Sequence, residues 1–440
     1  MCDLLFGRRL LTIEMQQMGF TETQLAQFSA TPAMQLKGTR IHCQRCQSSY
    51  VSEKVQLPQG QYYCPSCIQL NRVTSDQYLY HLPEPNHFQQ QTQPLTWQGT
   101  LTAAQAKIAQ ELIYKFQKRQ PHLLWAVTGA GKTEMLFPLL ATAIQKNCRI
   151  GVVSPRVDVC NELYPRLTQA FAHTTQQLLH GQQTVPYQYT QLTVATTHQL
   201  LRFYHAFDLL IVDEVDAFPY VNSALLKSAT TQAIKPKGSL FYLTATPTPA
   251  LHRSIEQQKL SVSYLPRRFH GRPLPLPKLI YQRKLTEKFE KQPLIQKFQQ
   301  YLTVSLNAKR QVLIFLPKIS WLMPMANALE KQYAQAIGTV HANDDQRQEK
   351  VQQFRTRQLD ILLTTTILER GVTFSNIDVY VLKADDWTFT TASLVQIAGR
   401  AGRDANYPNG AVYFFYEHYN CRIRDCQRQI KYMNAKEVIK

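Results

Sequence analysis

LLWAVTGAGKT, residues 123–133, is the stretch on which the reading of the whole chain turns. Five apolar residues suited to a buried strand run into a loop containing Gly129 and Gly131, and a helix-like stretch follows. A loop of this kind, at the start of a helix, turns successive backbone N–H groups toward one point. Phosphate oxygens fit there: Thr128, Gly129, Ala130 and Gly131 form the cradle, Lys132 adds a point charge, and Thr133 offers an oxygen to magnesium. The usual pattern has glycine where this chain has Ala126.

Outward from that loop, short apolar runs (RIGVVS, LTVAT, LLIVDE, LFYLTAT) alternate with helix-like segments such as residues 103–119. Such alternation predicts an α/β architecture with a parallel sheet. It stops at LPRRFHGRPLPLPK, residues 265–278, where four prolines forbid a regular element. A second alternating series follows: QVLIFLP, AIGTVHA, LDILLTTT, VYVLKAD and AVYFFY. The expected organisation is an N-terminal region over 1–96, ending in the polar linker PEPNHFQQQTQP (83–94). One α/β domain then spans 97–268, a proline-rich hinge 269–278, and a second α/β domain with a basic C-terminal helix 279–440.

A chain of 440 residues is long enough for two or three domains. Hydrophobic residues at 44% and charged residues at 18% fit a globular protein, and no run of eighteen apolar residues occurs. Glu14 arrives before the apolar core of a secretion signal can form, so a cytoplasmic chain with reduced cysteines is expected. Of the net charge of +19, +10 falls in residues 249–310. A concentration of that size favours a polyanionic partner, with nucleic acid and an anionic membrane surface both open.

Two further stretches add chemistry to the loop. LLIVDEVD (209–216) reads as a buried strand ending in two acids. Asp213 would reach magnesium and Glu214 would polarise an attacking water. In SLVQIAGRAGR (393–403), a helix would put Gln396, Arg400 and Arg403 on one face. Arginines so placed stabilise transferring phosphate if one domain closes on the other.

IHCQRC (41–46) and YYCPSC (62–67) supply two CxxC pairs separated by seventeen residues. Cys43, Cys46, Cys64 and Cys67 have the spacing of a four-thiolate zinc ribbon over about 40–70, whose folding would depend on the metal. Four thiolates leave no open coordination position, so the site would be structural. Tyr50, Tyr62 and Tyr63, with Arg40, Arg45 and Lys54, suit either a DNA-gripping knuckle or a packed module docking a protein.

As a set, these residues resemble the motifs of superfamily 2 helicases and translocases over about 97–415. The resemblance implies two tandem RecA-like parallel-sheet domains, preceded here by the small four-cysteine zinc module. It implies that Gln105 of LTAAQ reads adenine and that Thr244 and Thr246 of TATP couple hydrolysis to movement. It further implies that SPRVDV (154–159), TTHQL (196–200) and TTTILERGV (364–372) line a nucleic-acid path. Ser154, Pro155, Arg156, Thr197, Thr365 and Arg370 are the contacts expected from these motifs. The family pattern RGxD ends in Asp, and this chain has Thr373 there.

Within the superfamily, the four-cysteine site ahead of the motor, SPRVDVC and TTTILERGVTF resemble the ComFA family of late-competence ATPases of transformable Gram-positive bacteria. The rival is the primosomal replication-restart helicase, whose cysteines lie inside its second motor domain. The resemblance implies an ATP- and Mg2+-dependent, DNA-stimulated motor carrying Zn2+, peripheral at the inner face of the cell membrane. Such a motor would draw single-stranded DNA inward with channel and other competence proteins, with oligomerisation open. The alternatives are a replication-restart or repair helicase, or a nucleotide-gated DNA-binding assembly switch without net motion; RNA as substrate is not excluded by the motifs. The cations Arg267, Arg268, Arg272, Arg283 and Lys284 around the hinge are expected to contribute to DNA binding.

Overall fold

The computed structural model describes residues 2–182, 185–291, 294–372 and 374–436; Thr373 lies outside the described residues. Two compact units are present, Met1–Leu124 with Thr133–Ser263, and Trp125–Lys132 with Tyr264–Lys440. The loop quoted above therefore groups with the second unit.

The first unit begins with two small antiparallel sheets. Strands β1 (Arg9–Leu11), β2 (Ala30–Pro32), β3 (Met34–Lys37), β4 (Arg40–Cys43), β5 (Ser49–Val51) and β6 (Tyr78–His81) pair in the orders β1-β6-β2 and β3-β4-β5. Next come β7 (His122–Ala126), β8 (Ile150–Ser154), β9 (Gln176–Leu179), β10 (Leu192–Thr196), β11 (Phe207–Val212), β12 (Ile234–Thr244) and β13 (Ser261–Leu265). They form one sheet in the order β13-β7-β12-β11-β8-β10-β9. Neighbours from β9 to β12 run parallel. Every residue of β7, β8 and β10 is buried, as expected of a parallel sheet covered on both faces. The crossing from β11 to β8 brings the ends of LLIV and IGVVS side by side, so acids after β11 emerge at the carboxyl edge where α/β sheets hold ligands.

The second unit holds β14 (Lys278–Tyr281), β15 (Gln311–Phe315), β16 (Ile337–Val340), β17 (Ile361–Thr364), β18 (Ile377–Leu382) and β19 (Val412–Tyr416). Their order is β14-β19-β18-β15-β17-β16, parallel throughout. Phe298 and Leu302 of the helix Gln296–Asn307 pack on Ile314, Tyr380 and Phe415. A buried Asp378 is tied there by Arg310 at 3.0 Å and Ser305 at 2.6 Å. Residues 266–277 form neither helix nor strand, in keeping with their four prolines.

The polar stretch 83–94 is irregular but fixed to the first unit. Glu84 accepts from Arg149, whose side chain is fully buried, and from the Tyr189 hydroxyl. Asn86 donates to Asp208 at 3.0 Å and accepts from Lys235 at 2.7 Å. Buried pairs of this kind resist separation, because removing one partner strands the other's charge. This segment is a strap rather than a free tether.

Candidate nucleotide site and four-cysteine centre

The loop between β7 and the helix Lys132–Gln145 turns through Gly129 (φ 76°) and Gly131 (φ 74°). That backbone region is strained for residues with a Cβ and is the one an N–H nest uses; within it the Ala130 N–H donates to the Val127 carbonyl at 3.3 Å. The loop is braced by the Val127 N–H on the Leu265 carbonyl at 3.1 Å and the Phe269 N–H on the Gly129 carbonyl at 3.0 Å. Thr128 is buried, and among the described residues its hydroxyl has no hydrogen-bond partner. A buried polar atom left in that state, beside a nest of N–H groups, fits a phosphate ligand. A Cβ built on Gly399 would lie 1.8 Å from the same hydroxyl, so only glycine is accommodated at 399.

Within the second unit, the segment after the helix Thr391–Ala398 lies against this loop. The helix stops at Ala398, so Gln396 is helical while Arg400 and Arg403 stand in the following turns instead of sharing one helix face. The helix is capped at Gly399, and Gly402 at φ 62° turns the segment that follows. Arg400 is buried and donates to the Glu369 carbonyl at 3.0 Å; Arg403 donates to the Gly399 carbonyl at 3.0 Å. A Cβ on Gly129 would sit 3.8 Å from Cγ of both Arg268 and Arg403.

Arg268 has a role that sequence reasoning missed. It was grouped with the hinge cations expected to meet DNA, but it is 2% exposed and donates to the carbonyls of Ala401, at 2.7 Å, and Gly402. Burial, with Arg403 beside it, pushes its pKa down to about 9. Its charge is directed at the phosphate loop's surroundings instead of at solvent. The neighbouring prolines and arginines gave no sign of which cation would turn inward.

In the first unit, Asp213 and Glu214 follow β11 directly. The Asp213 N–H is held by the Val153 carbonyl at 2.7 Å, and its carboxylate accepts the Glu214 N–H at 2.8 Å. Glu214 has φ 53°, a left-handed conformation uncommon for a non-glycine residue and typical of functional sites. Asp216, which the sequence reading passed over, accepts the Thr244 hydroxyl at 2.6 Å and the Thr246 hydroxyl. The Thr246 N–H also donates to the Thr244 hydroxyl at 2.9 Å, so DEVD and TATP are one hydrogen-bonded assembly. The only signal for Asp216 was the third acid of DEVD. Thr133 is buried at the start of its helix. The Gln105 amide oxygen accepts from the N–H and the hydroxyl of Thr102, capping the helix Ala103–Gln117.

Of the six residues expected to contact nucleic acid, Ser154, Pro155, Thr197, Thr365 and Arg370 are buried, and Arg156 is half-buried beside Asp158 at 3.5 Å. Arg156 precedes the helix Val157–Ala170, and Arg370 reaches Glu369 at 3.5 Å.

The four paired cysteines converge. Their sulfurs all lie within 4.8 Å of one another and are buried, with Cys43–Cys67 at 3.9 Å and Cys46–Cys64 at 3.5 Å. A tetrahedral site with Zn–S of about 2.3 Å needs sulfurs about 3.8 Å apart, so the donors fit. Hydrogen bonds within the cluster push Cys43 and Cys67 up and hold Cys46 and Cys64 down. A divalent cation would instead take all four as thiolates.

Arg45, between two of these cysteines, is 2% exposed and therefore is not a phosphate contact. It donates to Glu14 at 3.1 Å, to the Leu70 carbonyl at 3.0 Å and to the Leu201 carbonyl at 3.4 Å. Arg202 joins the same Glu14 carboxylate at 3.3 Å, and those charges hold it below its ordinary pKa against the opposing effect of burial. One hydrophobic cluster runs from the cysteines through Leu200, Leu201 and Phe203 into Leu210, with Tyr50, Tyr62 and Tyr63 packed on it. The module is docked on its own motor sheet, directly beside TTHQL.

Two family models match the chain: "Type III restriction enzyme, res subunit" over 98–249 and "Helicase conserved C-terminal domain" over 294–405. Among solved structures, the chain resembles the Mycobacterium smegmatis helicase Lhr, bound there to ssDNA and AMP-PNP. The TM-score is 0.54 at 17% identity, covering 76% of this chain and 48% of that one. This likeness bears on the fold alone, two RecA-like domains. Competence protein ComFA of Streptococcus pneumoniae is 43% identical over 94% of both chains. The Bacillus subtilis ComFA is 38% identical over 92% of this chain and 88% of its own. With helicase-family domains of the ATP-hydrolysing class and a buried four-cysteine centre ahead of them, the chain belongs to the ComFA family of competence proteins.

Proposed function

We propose that this protein is an ATP-driven single-stranded DNA translocase that helps draw transforming DNA into the cytoplasm, working peripherally at the inner face of the membrane. The observation that carries the competence role is the near full-length match to ComFA proteins; the phosphate-loop geometry supports the chemistry. Among the described residues no helix is long and apolar enough to cross a membrane.

In this mechanism the nest at 128–131 and Lys132 hold the phosphates, Gln105 contributes to adenine selection and Gln396 to the nucleotide pocket. Thr133 and Asp213 are the residues that would hold magnesium, which supplies neutralisation of phosphate charge. Glu214 orients and deprotonates the attacking water, and Arg400 and Arg403 stabilise charge that develops on the transferred group. Asp216 passes the state of the acid strand to Thr244 and Thr246, from which movement follows. The four cysteines hold a structural zinc ion, and the ribbon braces TTHQL. Backbone-directed grip would make binding sequence-independent and salt-sensitive.

Asp216→Asn keeps the shape but weakens an acceptor of two hydroxyls. Losing one charge-assisted hydrogen bond costs about 1.5 kcal/mol, so stimulation of ATP hydrolysis by ssDNA is expected to fall roughly tenfold, measured as the ratio of stimulated to basal rates.

The test of the biological role is Lys132→Ala in the source bacterium. Uptake of labelled transforming DNA is expected to collapse while growth and survival of DNA damage stay at wild-type levels. Lost growth with intact uptake would favour a replication or repair helicase and sink the competence role.

A further inference from the structure

The carboxyl edge of the second unit carries an aromatic strip that none of the motifs uses. Tyr281 ends β14 and is 51% exposed; its register partner Tyr416 ends the adjacent β19. Tyr419, 54% exposed, follows three residues later, and Trp387, 79% exposed, lies in the loop after the next strand, β18. The rings of Tyr281 and Tyr416 are 5.9 Å apart and those of Tyr416 and Tyr419 6.1 Å.

The strip is rigid. The Asp385 carboxylate accepts the N–H groups of Glu417 and His418, each at 3.1 Å, clamping the loop after β18 to the loop after β19. The Asp385 carbonyl accepts from Asn420 at 3.0 Å and Arg422 at 2.8 Å. On either side of Trp387, Asp386 caps the Thr388 N–H at 3.0 Å and Phe389 is fully buried. Core packing does not explain a large ring left 79% exposed on a loop whose backbone is fixed on either side; an exposed aromatic face is what a stacking partner needs. The charges fit as well. Asp385 and Glu417 are both taken up by Lys383, at 3.3 and 2.7 Å, while Arg283 and Lys284 stand exposed just beyond β14, Lys284 in a solvent-exposed pair with Glu287 at 3.1 Å that a phosphate would have to displace. Two strands further along the same edge, β17 delivers Thr365 of the proposed nucleic-acid path.

We infer that Trp387, Tyr419, Tyr416 and Tyr281 form a base-stacking platform for single-stranded DNA, with Arg283 and Lys284 on its phosphates. The inference rests on the DNA-translocase reading and assigns the strand a second, motif-independent hold on the motor. Stacking tolerates any base, which suits a motor that must pass arbitrary sequence.

The test uses the full-length protein and a fluorescein-labelled oligothymidylate, with anisotropy measured across a salt series. Trp387→Ala and Tyr419→Ala are each expected to weaken binding roughly fivefold or more, while Trp387→Phe stays within about twofold of wild type. The slope of log affinity against log salt stays the same for the aromatic variants and falls by about one for Arg283→Glu. Wild-type binding with unaffected alanine variants overturns the platform alone. So does equal weakening by Trp387→Ala and Trp387→Phe, which marks a structural role. Failure of the wild-type protein to bind the oligonucleotide overturns the translocase reading and the platform together.

Discussion

Stripping the metal from the four-cysteine centre is expected to unfold residues 40–70 and to loosen the short helical turn Thr197–Arg202 beside them. In zinc-finger peptides the metal supplies about 10–16 kcal/mol of apparent folding free energy. The ribbon's own strands are short: β3, β4 and β5 contribute eleven residues, most of them partly exposed. Cys43 and Cys46 fix the turn that carries Arg45, and Arg45 reaches Glu14 and the Leu201 carbonyl. Gln232 of the helix Ala224–Ala233 also donates to the Arg45 carbonyl at 3.4 Å, and Arg9 of β1 to the Gln44 carbonyl at 2.8 Å, so the metal-binding turn is gripped both from the large sheet's helix and from the small N-terminal sheet. Elemental analysis should find about one zinc per chain in the wild type and much less in Cys64→Ser. Hydrogen exchange should show faster exchange at 40–70 and, through Arg45, at 196–202. Unchanged exchange at 196–202 in a metal-free protein would show that the ribbon does not brace TTHQL.

Glu214→Gln is expected to lower kcat for ATP hydrolysis roughly 10²- to 10⁴-fold, the range a positioned general base contributes. The substitution keeps the side chain's length, and the Glu214 N–H bond to Asp213 comes from the backbone and survives it. In the proposed mechanism nucleotide binding rests on residues 128–131 and Lys132, so the affinity for a non-hydrolysable ATP analogue should stay near wild type. A fluorescent analogue in a titration, beside single-turnover hydrolysis, separates the two steps. A variant that hydrolyses at the wild-type rate would remove Glu214 from the role of base; one that no longer binds nucleotide would make it a binding residue instead.

Much of this was legible in the sequence because parallel strands covered on both faces must be apolar throughout. LLIV of β11 and VLIF of β15 could be read directly, and the glycines and cysteines stood at spacings that few other structures use. Less legible were elements defined by partners distant in the chain. β1, β2 and β6 have three or four residues each, and β6 pairs with β1 across about seventy positions and with β2 across about fifty, leaving no periodicity to read. β9, QQLL, is an edge strand that opens on two glutamines, so it lacks the apolar run that marks the central strands. The stretch 83–94 looked like a linker by composition, yet Glu84 and Asn86 are fixed by Arg149, Asp208 and Lys235, cations and acids that no local pattern connects to them.

The site shows the same division. Chain-local chemistry, the phosphate loop and the acid pair, was written in contiguous residues. Arg268, Asp216 and Arg45 were each visible but misjudged or passed over, because burial decides what a charge does and burial is a tertiary property. Arg45 looked like a surface cation of a DNA-gripping knuckle, and its 2% exposure makes it a docking residue instead. Helical spacing likewise placed Arg400 and Arg403 on one face, whereas Gly399 ends the helix before either is reached.

The most direct test of translocation is displacement of streptavidin from biotin-ended single-stranded DNA, followed with ATP for the wild type and Glu214→Gln. ATP-dependent displacement by the wild type, absent with Glu214→Gln, is the predicted result. DNA-stimulated hydrolysis by the wild type with the streptavidin left in place would contradict it, and would make the protein a nucleotide-gated switch.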